Sequence, residues 1–208
     1  MIHSSRVALA TAFLASAAFV VIAKTAMVEP APQLPLGSAA PAFALPNTAD
    51  GKTVALADFK GKVKGLCVVF SCNHCPVARA YEDRVIALGR EYREKGIPFV
   101  LISSNDAAAN PADGPADMKM RAGEKNYPFP YLYDESQEVG RAFGARVTPH
   151  VYLFDKDLVL RYRGAVDDDE DEPRIAYLKS ALDLVLAGSS SKIDPAETIA
   201  KGCSIKWK

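Results

Sequence analysis

The chain has 208 residues, which is enough for one domain with a well-buried core and short extensions, but too few for two ordinary domains. Its 25 Lys and Arg residues balance 25 Asp and Glu residues, so the formal charge is zero and no basic surface for phosphates is expected. Nucleic acid is therefore excluded as an expected partner, whereas an ordinary apolar fraction of 49% assigns no function by itself.

The first 23 residues are not typical of a folded domain. A short segment with one Arg precedes an uncharged apolar run, residues 7–23, which Lys24 ends. This pattern is typical of an export signal, because the run falls slightly short of the about 20 residues that span a membrane. We expect a signal peptide cleaved after Ala23 or, since apolar residues continue at 26–28, an uncleaved membrane anchor. Export predicts a periplasmic or other extracytoplasmic protein, secreted or membrane-anchored by this segment alone, in a compartment where disulfides persist.

A short linker and a single domain are predicted next. Residues 29–41 contain four prolines together with Gly37 and Ser38, a composition that sustains neither a helix nor a central strand. We therefore predict a linker at 24–39, a catalytic domain at 40–187 and a C-terminal tail at 188–208.

The first half of the domain alternates strand and helix patterns. Residues 53–56 alternate weakly after a turn signal, and residues 64–71 form a β-branched and aromatic run suited to a strand buried on both faces. Residues 77–95 carry apolar side chains at helical spacing. A second buried-strand run at 97–103 is followed by a polar, Pro-containing stretch at 105–115, which predicts a long loop.

The second half continues this alternation and ends with a hairpin. We predict helices at 116–125, 136–143 and 173–186, strands at 129–133, 151–154 and 158–163, a tight turn at 155–157 and an acidic loop at 167–172. The order βαβαβαββα favours an α/β fold with a central mixed, mostly parallel sheet flanked by helices. The terminal hairpin adds an antiparallel edge.

The chemistry is predicted to reside in two cysteines at the start of the helix at 77–95. A helix N-terminus stabilises a thiolate, so Cys72 is predicted to be the nucleophile. Cys75 lies one turn further on and can close a small disulfide ring as the resolving thiol. His74, between them, is predicted to stabilise the Cys72 thiolate, and its replacement should shift the redox potential without abolishing exchange. Pro76 suits the first helical turn.

Further segments accompany this motif and carry a family resemblance. They are APAF with Leu45 (40–45), DGK (50–52), LADFKGK (56–62), FSCNHCP (70–76), SND (104–106), YPFPYLYDE (127–135), TP (148–149) and GCSIKW (202–207). Together they resemble the alkyl hydroperoxide reductase/thiol-specific antioxidant (redoxin) family, in its peroxiredoxin-like group with a Cys-Asn-His-Cys-Pro motif. The resemblance implies a thioredoxin fold with an N-terminal redoxin-type extension.

The resemblance also implies the surroundings of the cysteines. A cis peptide bond is expected between Thr148 and Pro149, in a loop that faces the pair. The groove for an incoming polypeptide or small thiol is expected along Asn73, Pro76, Thr148 and Pro149. The redox-active disulfide itself serves the reaction, so we expect no other cofactor and no metal.

Two departures from related families limit the prediction. Peroxiredoxins bind peroxide through a Pro-x-x-x-Thr/Ser-x-x-Cys pattern, but Gly65 and Val69 stand at the corresponding positions before Cys72. Thioredoxins carry a buried Asp six residues before the first cysteine, where this chain has Leu66. Proton transfer must therefore use another group, for which His74 or Glu82 is a candidate.

Three functions follow as hypotheses. The first is an exported thiol-disulfide oxidoreductase, whose partners are protein or small-molecule thiols and disulfides and an upstream redox protein. The second is a peroxiredoxin-like thiol peroxidase, and the third is a copper- or zinc-binding module. Structural zinc prefers four ligands, and a second Cys-x-x-Cys is missing from the sequence.

The other two cysteines are given different interpretations. Cys67 lies in an apolar strand pattern and is predicted to be a small core residue. Cys203 is an accessory candidate: a second resolving thiol, an intermolecular pairing site or, as the favoured interpretation, a packed residue beside Trp207.

Overall fold

The computed structural model describes Met1 and residues 32–208. Apart from Met1, the predicted export signal at 1–23 lies outside the described residues, and so does the first half of the predicted linker. Within the part of the chain that is described, no helix is both long and apolar enough to cross a membrane.

Nine strands and four α-helices form over the described residues. In chain order they are β1 (Ala44–Pro46), β2 (Thr53–Ala55), β3 (Gly65–Phe70), α1 (Pro76–Lys95), β4 (Phe99–Ser103), α2 (Pro115–Glu124), β5 (Tyr131–Tyr133), α3 (Glu138–Phe143), β6 (Val147–Thr148), β7 (His150–Asp155), β8 (Leu160–Gly164), α4 (Tyr177–Leu186) and β9 (Cys203–Ser204). The predicted α/β architecture, a central mixed sheet flanked by helices, is confirmed.

The central sheet has the strand order β5-β4-β3-β7-β8. Strands β3, β4 and β5 run parallel, whereas β7 is antiparallel to both β3 and β8. Four of the five strands therefore run in the same direction, and β7 alone runs the other way between β3 and β8. Because β7 runs against β3, its first residue, His150, pairs with Phe70, the last residue of β3. The segments that follow β3 and precede β7 therefore meet at one edge of the sheet.

Alternation along β3 explains why both of its faces are buried. Cys67 and Val69 belong to an apolar cluster that includes side chains of α1 and α4, while Leu66, Val68 and Phe70 belong to a cluster on the other face. All five side chains are at most 1% exposed. The predicted core role of Cys67 agrees with this position.

The N-terminal extension packs on the domain earlier than the predicted boundary. The backbone N–H of Leu34 donates to the carbonyl of Phe143 at 3.1 Å, and that of Gly37 donates to Leu160 at 2.9 Å. β1 and β2 then form a separate antiparallel hairpin. Residues 32–39, assigned to the linker from the sequence, thus lie along the domain.

Two later boundaries also differ from the predictions. α4 begins at Tyr177 instead of 173, because the Asp168 carboxylate accepts the backbone N–H groups of Arg174 and Ile175 and holds the preceding residues in a loop. The tail after residue 188 includes β9, which pairs with β6, and the buried Ile205. Part of the predicted tail is therefore integrated into the fold.

Replacing Gly89 with Ala is expected to destabilise the protein, although Ala is the better helix former. A Cβ at position 89 of α1 would lie 2.5 Å from two ring atoms of Phe129, so the buried ring must shift, at a cost of about 1–3 kcal/mol. Gly123→Ala in α2 is the matched control, since nothing lies within 4 Å of its new methyl group. That control should gain about 0.5–1 kcal/mol. Urea unfolding measures both, and equal stabilisation of the two variants would contradict close packing of α1 on Phe129.

Candidate active site

The predicted cysteine pair lies where β3 is followed by α1. Cys72 comes two residues after the end of β3, and Cys75 is the N-terminal cap of α1. The Cys75 Sγ accepts a hydrogen bond from the backbone N–H of Ala78 at 3.4 Å. Pro76 occupies the first helical position, where its missing N–H leaves no acceptor without a donor. The sulfur of Cys75 therefore faces the donor groups of a helix N-terminus.

Thr148 and Pro149 form a second wall of the site, directly before β7. The peptide bond between them is cis, as the family resemblance implied. The Thr148 hydroxyl lies 3.2 Å from the Cys72 Sγ, and the Thr148 carbonyl oxygen lies 3.1 Å from the Cys75 Sγ. Cys72 is 4% exposed, whereas Cys75 is completely buried. Of the two sulfurs, that of Cys72 is therefore the more accessible.

A hydrogen bond between the two thiols separates their pKa values. This bond lowers the pKa of Cys75 to about 4, against the opposing effect of burial. The same bond, followed by burial, raises the pKa of Cys72. These opposite shifts favour a thiolate on Cys75 and a neutral thiol on Cys72 in the reduced pair, and the role of Cys72 as the nucleophile stays a prediction.

A buried carboxylate, Asp113, fixes the two residues between the cysteines. Its Oδ1 accepts the backbone N–H groups of Asn73 at 2.8 Å and of His74 at 3.1 Å. Its Oδ2 accepts the His74 ring Nδ1–H and the Asn105 side-chain amide, the latter at 3.0 Å. Since Asp113 is completely buried, these donors replace the water that would otherwise solvate its charge.

Asp113 is the site residue that sequence reasoning missed. It ends a short 3-10 turn, Pro111–Asp113, inside the stretch predicted as a long loop at 105–115. The Asn110 side chain caps this turn by accepting the N–H of Ala112. In the sequence, Asp113 stands in an Asn-Pro-Ala-Asp-Gly segment that is typical of any surface turn. Its only other signal was its place in a long loop, a kind of segment that often shapes a site.

Asn73 is bound to the protein at both ends of its side chain. Its amide nitrogen donates to the Ala112 carbonyl at 2.8 Å, and its oxygen accepts from the Tyr131 hydroxyl at 3.3 Å. Asn73 is half-buried, while Pro76 is exposed beside it. The four predicted groove residues thus surround Cys72, and their contact with a substrate stays a prediction.

The same residues bring three metal-binding atom types together. The Cys72 Sγ, a ring nitrogen of His74 and a carboxylate oxygen of Asp113 lie within 4.8 Å of one another. These residues could hold a transition metal. However, both Asp113 oxygens already accept hydrogen bonds from N–H groups, so hydrogen bonds alone account for the arrangement of the cluster. The absence of a metal and of other cofactors stays a prediction.

Glu82, a candidate proton acceptor in the sequence, is occupied by other partners. Arg121 donates to both of its carboxylate oxygens, at 2.8 and 2.5 Å, and the Tyr127 hydroxyl donates at 2.6 Å. Glu82 is 7% exposed, so it forms a buried ion pair rather than an exposed helix carboxylate. It is therefore a poor candidate for the proton acceptor.

Cys203 lies behind the cysteine pair. It belongs to β9 and pairs with Thr148 of β6, and its side chain packs in a cluster with Cys72, Cys75 and Ala78. Trp207 packs in a different cluster, so the expected packing of Cys203 beside Trp207 is wrong. Three of the four cysteines of the sequence thus meet in one place.

Comparisons with known proteins agree with this geometry. A model of the Redoxin family matches residues 35–179. The chain is 26% identical, over 127 residues, to a thiol-disulfide oxidoreductase ResA of Bacillus thuringiensis subsp. konkukian. That alignment covers 60% of this chain and 66% of the relative, just under two thirds of its length.

Two solved structures are similar over nearly their whole length. A conserved protein from Geobacillus kaustophilus is 44% identical with a TM-score of 0.78, covering 84% of this chain and 93% of that one. A protein from Sinorhizobium meliloti 1021 is 32% identical with a TM-score of 0.78, covering 85% and 97%.

The titration of the reduced pair is expected to reveal a stabilised thiolate. As pH rises, ultraviolet thiolate absorbance should increase through about 4, the pKa of Cys75, instead of near the ordinary cysteine value of about 8.5. Cys72→Ala removes the hydrogen bond that lowers this pKa, so its titration should move to higher pH. Cys67→Ala removes only a core thiol and should leave the titration unchanged. A wild-type midpoint above about 8 would contradict the shared hydrogen bond.

Neutralising Asp113 is expected to make Cys72 ionise more readily while weakening the fold. Besides the Cys75 hydrogen bond and burial, the Asp113 charge raises the pKa of Cys72. Asp113→Asn should therefore speed the alkylation of Cys72 by iodoacetamide, by about fivefold for a charge interaction of about 1 kcal/mol. The unpaired donors should cost about 1–3 kcal/mol in urea unfolding. Asp171→Asn, on an exposed loop, is the control, and identical behaviour of both variants would refute the role of Asp113.

Proposed function

Because the chain belongs to the redoxin family, we propose that it is a thiol-disulfide oxidoreductase that works through Cys72 and Cys75. The observation that carries this proposal is the contact of Thr148 with both sulfurs at the N-terminus of α1. A thiolate held at a helix N-terminus, next to a slightly more exposed thiol, is suited to disulfide exchange. The name of the Bacillus relative points to the same reaction.

In the first step Cys72 attacks one sulfur of a substrate disulfide. Its proton passes to the Cys75 thiolate, to which it is already hydrogen-bonded. The substrate S–S bond breaks, and the leaving sulfur takes its proton from water. This step uses Cys75 as the proton acceptor, so the Asp that thioredoxins carry is not needed.

In the second step Cys75 resolves the mixed disulfide. Its sulfur attacks the Cys72 Sγ, and its proton passes to the second substrate sulfur, which leaves as a thiol. The protein ends with a Cys72–Cys75 disulfide and the substrate as a dithiol, so two electrons have been transferred. The reverse sequence oxidises a dithiol substrate.

We extend the proposal to an exported protein that exchanges disulfides with protein or small-molecule thiols and is recycled by an upstream redox partner. The apolar segment at 7–23 supports export, and the oxidising compartment beyond the membrane would sustain the reactive disulfide. Expression of the full chain followed by fractionation and N-terminal sequencing separates a cleaved signal from a retained anchor.

Insulin reduction with dithiothreitol tests the proposed reaction. The wild-type chain should accelerate insulin precipitation, and Cys72→Ser should lower that acceleration by at least roughly 100-fold, because the attacking sulfur is lost. Cys75→Ser should stop turnover and accumulate a mixed disulfide on Cys72, visible by mass spectrometry. Cys67→Ala keeps both reactive sulfurs and is the matched cysteine control. Retained insulin reduction in Cys72→Ser would overturn the assignment.

Peroxide reduction is the competing activity that the same variants exclude or support. Gly65 and Val69 stand where peroxiredoxins carry the Pro and the Thr or Ser of their peroxide-binding pattern before the reactive cysteine. We therefore expect little Cys72-dependent consumption of hydrogen peroxide. Rapid peroxide consumption without insulin reduction would replace the proposed function with a thiol peroxidase. Tight stoichiometric copper or zinc binding without either activity would favour the metal-binding hypothesis.

A further inference from the structure

We propose that Cys203 is a third redox thiol, which exchanges the Cys72–Cys75 disulfide for a Cys75–Cys203 disulfide. This inference rests on the proposed function, because it begins from the oxidised pair. It adds an internal step to disulfide exchange and assigns a role to the last segment of the chain.

Strand pairing brings Cys203 to the site. β9 is antiparallel to β6, and in this ladder Cys203 lies opposite Thr148, the residue that contacts both sulfurs of the pair. The Cys203 side chain is only partly buried and packs against the cluster of Cys72, Cys75 and Ala78. The third thiol is thus held on the side of Cys75.

The backbone next to Cys203 approaches β6 too closely for any side chain. A Cβ at Gly202 would lie 2.1 Å from the carbonyl oxygen of Thr148. The glycine lets the tail lie directly against the residue before Pro149. Because of this close approach, the next residue, Cys203, packs directly against the reactive pair.

The residues that follow Cys203 are fixed to the domain by hydrogen bonds and by burial. The backbone N–H of Ile205 donates to the Arg146 carbonyl at 2.9 Å, and Ile205 is 4% exposed. The N–H of Lys206 donates to the Asn105 side chain at 2.7 Å, and its carbonyl accepts from Asp106. Cys203 is therefore positioned by a built structure, since buried side chains and long-range hydrogen bonds secure the residues after it.

The hydrogen bond between Cys203 and Cys75 makes the reactivity of Cys203 depend on the redox state of Cys75. Burial, together with the hydrogen bond to Cys75 and its charge, raises the pKa of Cys203 to about 11. In the reduced protein Cys203 therefore remains a thiol and stabilises the Cys75 thiolate. A disulfide at Cys75 removes the negative charge, so two of the causes that hold the proton on Cys203 disappear on oxidation. Cys203 then becomes a better nucleophile next to the sulfur that it must attack.

The step balances within the protein. Cys203 loses its proton and attacks the Cys75 Sγ, forming the Cys75–Cys203 bond while the Cys72–Cys75 bond breaks. The electron pair of the broken bond goes to the Cys72 Sγ, which leaves as a thiolate and takes up a proton. One disulfide and one thiol are present before and after, so no external oxidant or reductant is required. The oxidised protein then presents a free thiol at Cys72, the more exposed member of the pair.

Alkylation of the oxidised full-length chain tests the proposal. The protein is oxidised with diamide, freed of excess reagent, labelled in the native state with iodoacetamide and mapped by non-reducing mass spectrometry. At least about a tenth of Cys72 should be labelled, because the proposed exchange leaves Cys72 as a free thiol that the reagent can trap. Cys203→Ser should abolish this label. Ser204→Ala changes the exposed neighbour on β9 and is the matched control, with labelling as in wild type. The buried Cys67 should be unlabelled in all proteins.

A second variant keeps Cys203 and its strand intact. Cys72→Ser cannot form the first disulfide, so oxidation should link Cys75 to Cys203 in most molecules. Free Cys75 and Cys203 in this oxidised variant, or unlabelled Cys72 in the oxidised wild type, would overturn the proposed exchange.

The two proposals fail in distinguishable ways. The labelling experiment needs no substrate, so exchange without insulin reduction would count against the proposed function alone. Insulin reduction that depends on Cys72, with no Cys75–Cys203 bond in either oxidised protein, would count against the third thiol alone.

Discussion

The antiparallel pairing of β7 with β3 is the constraint on which the site depends. It sets His150 opposite Phe70, so the residues before β7 and those after β3 must share one edge of the sheet. Thr148 reaches both sulfurs only because of this register. A parallel β7 would start at the opposite end of β3 and leave the cysteines without their second wall. The contact between Thr148 and the two cysteine sulfurs thus results from the topology of the sheet rather than from local sequence.

A second constraint follows from the burial of Asp113 under the cysteine loop. A buried carboxylate requires hydrogen-bond donors, and the backbone N–H groups of Asn73 and His74 supply two of them. These two N–H groups lie just before α1, where unpaired N–H groups would otherwise stabilise a negative charge on the reactive sulfurs. The loop therefore gains rigidity from Asp113, while the helix N-terminus stabilises the thiolate through Ala78 alone among these contacts. Rigid placement and thiolate stabilisation are thus supplied by different N–H groups.

Much of the fold was predictable because its signals are local. The apolar runs at β3 and β4 and the helical spacing of α1 identified those elements to within a few residues, and the adjacent Cys72 and Cys75 identified the chemistry. The start of α4 was missed because the Asp168 carboxylate, several residues away, accepts the N–H groups of Arg174 and Ile175, which the sequence placed in the helix. Asp113 and the neighbours of Cys203 were missed for a related reason. Their contacts join residues far apart in sequence, and periodicity carries no information about such pairs.

The redox balance of the site follows from how its charges change on oxidation. In the reduced state the charge of Asp113 opposes the ionisation of Cys72. Hydrogen bonds from the Cys72 and Cys203 thiols and from the N–H of Ala78 instead favour the thiolate on Cys75. Disulfide formation removes the thiolate but leaves Asp113 with its donors, so only the sulfur side of the network changes. The charge of the Asp113 carboxylate is therefore the same in both redox states. The negative charge of the thiolate is present only in the reduced state, and the hydrogen bonds among the sulfur atoms determine which sulfur carries it.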